Sequence, residues 1–397
     1  MLNSTKYILT HFFYYTIFFP FVSIFPIGTD LQPIFIIIMI LLIVLKYITF
    51  LQKDKYLIII ALASLIYFNP FSYDLIPFKG FGAYLSVFIS LFFLLVYSKT
   101  FNKDIFITVL KRSIIIYFIS SLIFNFFPDY FSAFQLNFVR AVNSIDSGIS
   151  FRGISTYFTE PGLFGAHMVG LMVLIIGLFN NKLIKARVTI TYVLMLTIMI
   201  ILSKSGMGYL YLLFILFYFM YINKTKVKII IPLILSLSYL TTFNFEYLLD
   251  LNRGISALFS FSDLSTLTDT SILKRVYDFI LGFYILIEHP FGMGFNFDVS
   301  NVIEIIKSSS FLGNFYNINK KIGFVSSLSL FFAYYGIFTV LVLIYIIKKY
   351  KPTFLNAFFA LAFLSFSFSG AYPLIWVLLV QEFVLIQNLY IKKNKLL

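Results

Sequence analysis

The sequence predicts an all-α, polytopic integral membrane protein, and three observations carry that reading. Of 397 residues, 60% are hydrophobic and 21% aromatic while only 12% are charged, more apolar surface than a soluble domain of this length can bury. The apolar residues fall in long runs of helix-spanning length, separated by short polar interruptions. The basic residues cluster on alternate interruptions, as the loops on the inner side of a membrane bundle do.

Cutting the chain at its polar interruptions gives about twelve spans, in a single membrane domain over 1–397. The first, 7–26, follows Lys6 and stops before Asp30, and with no small-residue cleavage site behind it reads as a retained helix. The second, 32–50, ends before Lys53, Asp54 and Lys55, and the third, 56–70, closes on Asn69 and Pro70. After Lys79 comes 80–97, ended by Lys99; 108–127 is ended by Pro128 and Asp129. Pro161 opens 161–180, and Lys182 and Lys185 separate it from 187–203. Lys204 and a glycine turn lead to 206–223, and Lys224 and Lys226 to 227–244. The last three, 324–347, 353–371 and 372–391, are divided by Lys348, Lys349 and Lys351 and then by Gly370 to Pro373; the final two read equally as one re-entrant pair.

Two thirds of the 30 Lys and Arg then fall on the inner side, and all of the 16 acids except Asp54, Asp104 and Glu382 on the outer side. Both termini are placed in the cytoplasm, and the net charge of +14 records orientation and does not call for nucleic acid. Two outer loops are long, approximately 128–160 and 245–323, and long loops in compact proteins carry function. Within the second, SILKRVYDFILGFYILIEHPFGMGF is polar at its head and apolar behind it, a helix lying along the surface or capping the bundle.

The polar residues near the outer side supply the candidate chemistry. Arg152 and Glu160 flank FRGISTYFTEP, with Pro161 at the first turn of the following helix; a carboxylate there suits the helix dipole, so a cap is the competing reading. His167 follows Glu160 by two helical turns, which would let the two share a proton, against the plainer reading of a buried structural histidine. His11 reads as structural. In ILSKSGMGYL, Lys204 stands between two serines and before two glycines, either an anion site or a lysine snorkelling from a helix end. Arg275 heads the amphipathic segment and Glu288, His289, Pro290 and the Gly292-Met293-Gly294 turn close it. Three cations on three outer segments, Arg152, Lys204 and Arg275, form the set that a pyrophosphate at the membrane surface requires. Glu382 lies midway along the last span and is a further polar candidate.

The sequence has no cysteine, three histidines, no paired-acid motif and no Walker motif, so no thiol chemistry, no metal and no nucleotide hydrolysis is expected. No cofactor is implied.

Taken in order, FRGISTYFTEP, ILSKSGMGYL, KRVYDFILGFYILIEHPFGMGFN and SSLSLFFAYYGIFTVLVLI resemble the motifs of the Wzy-type bacterial O-antigen polymerases, within the O-antigen polymerase and ligase superfamily. The resemblance covers about residues 140–345; the earlier spans match in hydropathy alone. It implies a GT-C-like helix bundle in the bacterial inner membrane and a metal-independent glycosyltransferase at its periplasmic face, joining undecaprenyl-pyrophosphate-linked oligosaccharides. Membrane lipid and a chain-length regulator protein are the further partners it suggests. On that reading Arg152, Lys204 and Arg275 bind the pyrophosphate, and Glu160, with His289 as second choice, is the catalytic base. Lys204 stands where the family more often has arginine. Ser326 and Ser327 occupy the region where ligases of the group place a histidine, which favours polymerase. An O-antigen ligase and a lipid-linked oligosaccharide flippase are the competing functions; apart from Glu382 the charges sit at helix ends, unlike a transporter's charged central cavity.

Overall fold

The computed structural model describes residues 2–22, 33–48 without 46, 55, 56, 59, 89–129 without 91, 135, 138, 139, 153–222 without 159, 270–294, 299–308, 327–366, 368 and 372–394. Their helices are α1 (Leu2–Phe18), α2 (Pro33–Val44), α3 (Lys103–Phe126), α4 (Pro161–Asn180), α5 (Ala186–Leu202), α6 (Gly206–Ile222), α7 (Thr270–Glu288), α8 (Val299–Ser308), α9 (Ser327–Tyr335), α10 (Ile337–Tyr350), α11 (Phe354–Phe366) and α12 (Pro373–Asn394). Among the described residues there is no strand, only one isolated bridge between Val22 and Val139. By length and composition α3 and α4 can each cross a membrane, and α9 with α10 makes a third candidate if the bent pair is one span. The expected spans 56–70 and 227–244 lie largely or wholly outside the described residues.

The chain divides into two compact units. One comprises Met1–Ile115, Asn137–Ala141 and Arg275–Leu397; the other comprises Ile116–Leu136 and Val142–Lys274.

In the second unit α4 is the core, buried continuously from Phe164 to Leu178, and it packs against both α5 and α6. Small residues let the helices close up. A β-carbon on Gly165 would lie 3.0 Å from Ser203 Oγ and Ser205 Cβ, and one on Gly208 would lie 3.2 Å from the Cα of Gly165. Pro161, whose missing N–H would have no partner in the first helical turn, starts α4.

In the first unit an aromatic cluster joins α1 to the start of α3. Tyr14 meets Phe106 at 5.6 Å and Tyr97 at 6.1 Å between ring centroids. The Tyr14 hydroxyl donates to the Thr100 carbonyl at 3.3 Å and accepts from the Asn102 N–H at 2.8 Å. Asn102 Oδ1 in turn accepts from the N–H groups of Asp104 and Ile105 at 3.1 and 3.2 Å, which caps α3. Asn356 of α11 donates to Gln381 of α12 at 3.5 Å, and Glu382 beside it is buried.

The stretch expected as one span over 324–347 is not straight. It breaks at Gly336, between α9 and α10, with a 119° bend. Gly336 takes φ 54°, and the turn after α7 fills the break: Ile337 N–H donates to the Pro290 carbonyl and Met293 N–H to the Ala333 carbonyl, each at 2.7 Å. The backbone groups that the break would strand are thereby satisfied.

Candidate functional site

In the second unit the two sequence motifs around Arg152 and Lys204 come together. The extended segment from Gly153 docks on the turn between α5 and α6, where Ile154 N–H donates to the Leu202 carbonyl at 3.1 Å. Gly153, at φ 92°, lies against Ser203 with no room for a side chain, so the Arg–Gly pair needs its glycine for both conformation and close approach. Arg152 itself lies outside the described residues.

The Ser203-Lys204-Ser205 turn is built by its serines. Ser203 N–H closes α5 on Met199 O at 3.0 Å and its Oγ donates to Ile200 O at 2.6 Å. Ser205 Oγ accepts the N–H of Gly208 at 3.1 Å, the N-cap bond of α6. Lys204 sits between them at φ 48°, a left-handed conformation uncommon for any residue but glycine, asparagine or aspartate. Both serines are buried, whereas Lys204 is half-buried. The turn therefore presents a cation at a fixed backbone position beside the segment that follows Arg152.

Three residues beyond Gly153, Thr156 is wholly buried at φ 43°. Gln135, also buried, donates from Nε2 to Ser155 Oγ at 2.9 Å and to the Thr156 carbonyl. Tyr157 Oη and Ser120 Oγ of α3 are 2.6 Å apart, and the Tyr157 ring stands edge-on to Tyr117 at 5.5 Å. Burial pushes the Tyr157 hydroxyl above its ordinary value, and its bond to Ser120 offsets part of that; it stays a neutral group at physiological pH.

Glu160 is the N-cap residue of α4, extended at φ −142°, but its side chain makes no capping bond and is exposed. Its carboxylate is thus displayed at the helix N-terminus rather than used to close it. His167 is 0% exposed, its ring 4.9 Å from Phe158 and 5.5 Å from Tyr117. One member of the expected Glu160–His167 pair faces outward and the other is packed among aromatic rings. The buried structural histidine describes His167, and no proton relay is drawn through it. His11, half-buried, lies tilted against the Tyr7 ring at 4.2 Å between centroids and bonds that residue's carbonyl at 3.0 Å through Nδ1.

In the first unit Arg275 is buried near the head of α7, one turn before buried Asp278. Here α7 packs on α9: Ser329 Oγ donates to the Asp278 carbonyl at 2.8 Å, and a β-carbon on Gly282 would lie 2.8 Å from the Cα of Ser329. The outward face of α7 shows Phe283, Tyr284 and Ile287. His289, half-buried, follows the helix, its N–H donating to Ile285 O at 2.7 Å. At 1.5 Å rise per residue, Arg275 and His289 are about 20 Å apart along the helix axis. Gly292 and Gly294 both have positive φ. Gly292 is pressed on Tyr334, its β-carbon position 2.7 Å from that residue's carbonyl carbon, which explains this glycine by packing; Gly294 has open space around it.

Among the described residues no three His, Asp or Glu side chains gather as a metal site. Gln135 and Ser120 were not legible as site residues in the sequence, because each acts on the FRGISTYFTEP motif, at Thr156 and Tyr157, across a long separation and neither belongs to a short motif itself. Comparison with protein-family models, with curated proteins and with solved structures returned no match.

Proposed function

We propose that this protein is a surface-polysaccharide polymerase of the O-antigen type, a metal-independent glycosyltransferase with about twelve spans and both termini in the cytoplasm of a bacterial cell. It would act at the periplasmic face of the inner membrane on undecaprenyl-pyrophosphate-linked repeat units, with membrane lipid around it and a chain-length regulator as a partner. The observation that carries this reading is the docking of Gly153 and Ile154 on the Leu202–Ser203 backbone, which joins two motifs of the resemblance that are distant in sequence.

The chemistry asks little beyond charge stabilisation and proton removal. A sugar hydroxyl of one repeat unit attacks the anomeric carbon of the other glycan; the new C–O bond forms as the anomeric carbon–phosphate oxygen bond breaks, and polyprenyl pyrophosphate departs. Arg152, Lys204 and Arg275 are assigned to the departing charge. The proton of the attacking hydroxyl passes to a carboxylate, with Glu160 assigned because it is exposed at a helix N-terminus beside the Gly153–Tyr157 segment. His289, at the far end of α7 from Arg275, is the second choice.

A deletion strain tests this. Loss of a polymerase leaves single repeat units on the lipid A core, whereas loss of a ligase leaves none and loss of a flippase stops repeat units from reaching the outer surface.

A further inference from the structure

We propose that Gln135 is a positioning residue of this site: it holds Thr156 in the left-handed conformation of the turn that leads from the Gly153–Ile154 contact with the Lys204 turn toward Glu160. The proposal rests on the reading above for its substrate, though not for its geometry.

Thr156 is the reason such a clamp is needed. It is β-branched, fully buried and at φ 43°, a combination that L-residues avoid and that persists only where the surroundings over-determine it. Its own hydroxyl does not supply the hold, since Oγ1 has no hydrogen-bond partner among the described residues. The carbonyl does. Gln135 spends the two hydrogens of its amide nitrogen on the Thr156 carbonyl and on Ser155 Oγ. It reaches them from 20 and 21 residues upstream in sequence and is only 2% exposed, so water does not compete for either bond.

The rest of the segment is pinned independently. Ile154 is bound to Leu202, Gly153 is seated on Ser203, and Tyr157 is tied to Ser120. Between these fixed points the Phe158 N–H closes the turn on the Ser155 carbonyl at 2.9 Å, and Thr156, inside that turn, is its residue of positive φ. A buried amide that donates twice there holds the conformation of the turn that precedes Glu160. Neither Gln135 side-chain bond goes to a charged group, so the residue acts through Thr156 and not on substrate.

The test uses the native bacterium, with the gene deleted and variants returned on a plasmid at matched membrane levels; extracted polysaccharide is resolved by chain length. Gln135→Leu keeps the volume and removes both donors. The expected result is a loss of polymer of about 100-fold, the scale on which an ångström of misplacement acts. Adding Thr156→Gly to Gln135→Leu is expected to restore most of it, because glycine adopts the left-handed conformation unaided. Wild-type polymer from Gln135→Leu overturns the proposal, and so does a loss that Thr156→Gly fails to recover.

A second measurement needs no substrate. The chain has no cysteine, so Ser155→Cys carries a unique thiol, expected to resist maleimide in otherwise wild-type membranes and to label when Gln135→Leu is added. Equal labelling in both backgrounds overturns the clamp. If the deletion strain still makes polymer while the labelling difference is seen, the polymerase reading has failed and the clamp stands.

Discussion

Gly153 lies so close on Ser203 that a β-carbon at position 153 would sit 2.5 Å from the Ser203 carbonyl carbon. Backbone meets backbone there, so neither side can yield by turning a side chain. Gly153→Ala is therefore expected to lift the 153–158 segment from the α5–α6 turn, with a cost of about 1–3 kcal/mol from the left-handed strain alone. Detergent-solubilised protein heated in steps and assayed by size-exclusion should aggregate at lower temperature than wild type. Gly165→Ala, whose β-carbon would have serine side-chain atoms at 3.0 to 3.1 Å as its nearest neighbours, is expected to be the milder change.

Lys204 allows charge and conformation to be separated. At φ 48° its backbone carries left-handed strain of about 1–2 kcal/mol that glycine relieves, offset by about 0.4–1 kcal/mol of added unfolded-chain entropy. Lys204→Gly should match or exceed wild type in the same thermal assay yet lose long-chain polymer, whereas Lys204→Arg should retain polymer. Polymer from Lys204→Gly at the wild-type level would remove this cation from the site.

Ser205 caps α6 through the Gly208 N–H. Ser205→Ala removes that bond and is expected to cost about 1 kcal/mol, read as a modest fall in thermal stability, while Ser205→Asp should hold the cap.

Gly336 tests the broken helix. Its β-carbon position is 2.7 Å from the Phe291 carbonyl carbon at φ 54°, so Gly336→Ala should displace the Pro290–Met293 turn and lower thermal stability more than Gly294→Ala, whose site is open.

Local signals made parts of this fold readable in advance. Pro161, Lys182 and the Ser203–Gly206 turn mark chain breaks by their own chemistry, and α4, α5 and α6 begin and end within a residue of the spans drawn from them. The helical reading of the segment headed by Arg275 also holds, as α7. The bend at Gly336 could not be read, because the turn that fills it comes from Pro290 and Met293, more than forty residues earlier. For the same reason the sequence did not show why residue 292 is glycine: its closest neighbour is the Tyr334 backbone. At the candidate site the sequence singled out the charges, but their support is non-local: Gln135 reaches Thr156, and Ser120 reaches Tyr157, through pairings that no spacing announces. Glu160 and His167 looked paired by helical phase, yet phase carries no information on which side chain meets an aromatic pocket.

The central claim is that arginines on two outer segments stabilise a departing pyrophosphate. Arg152→Ala and Arg275→Ala, each returned to a deletion strain with membrane levels checked by immunoblot, are measured on a lipopolysaccharide gel. Both should abolish the long-chain ladder and leave single repeat units on the core. Wild-type ladders from the two variants would contradict the account.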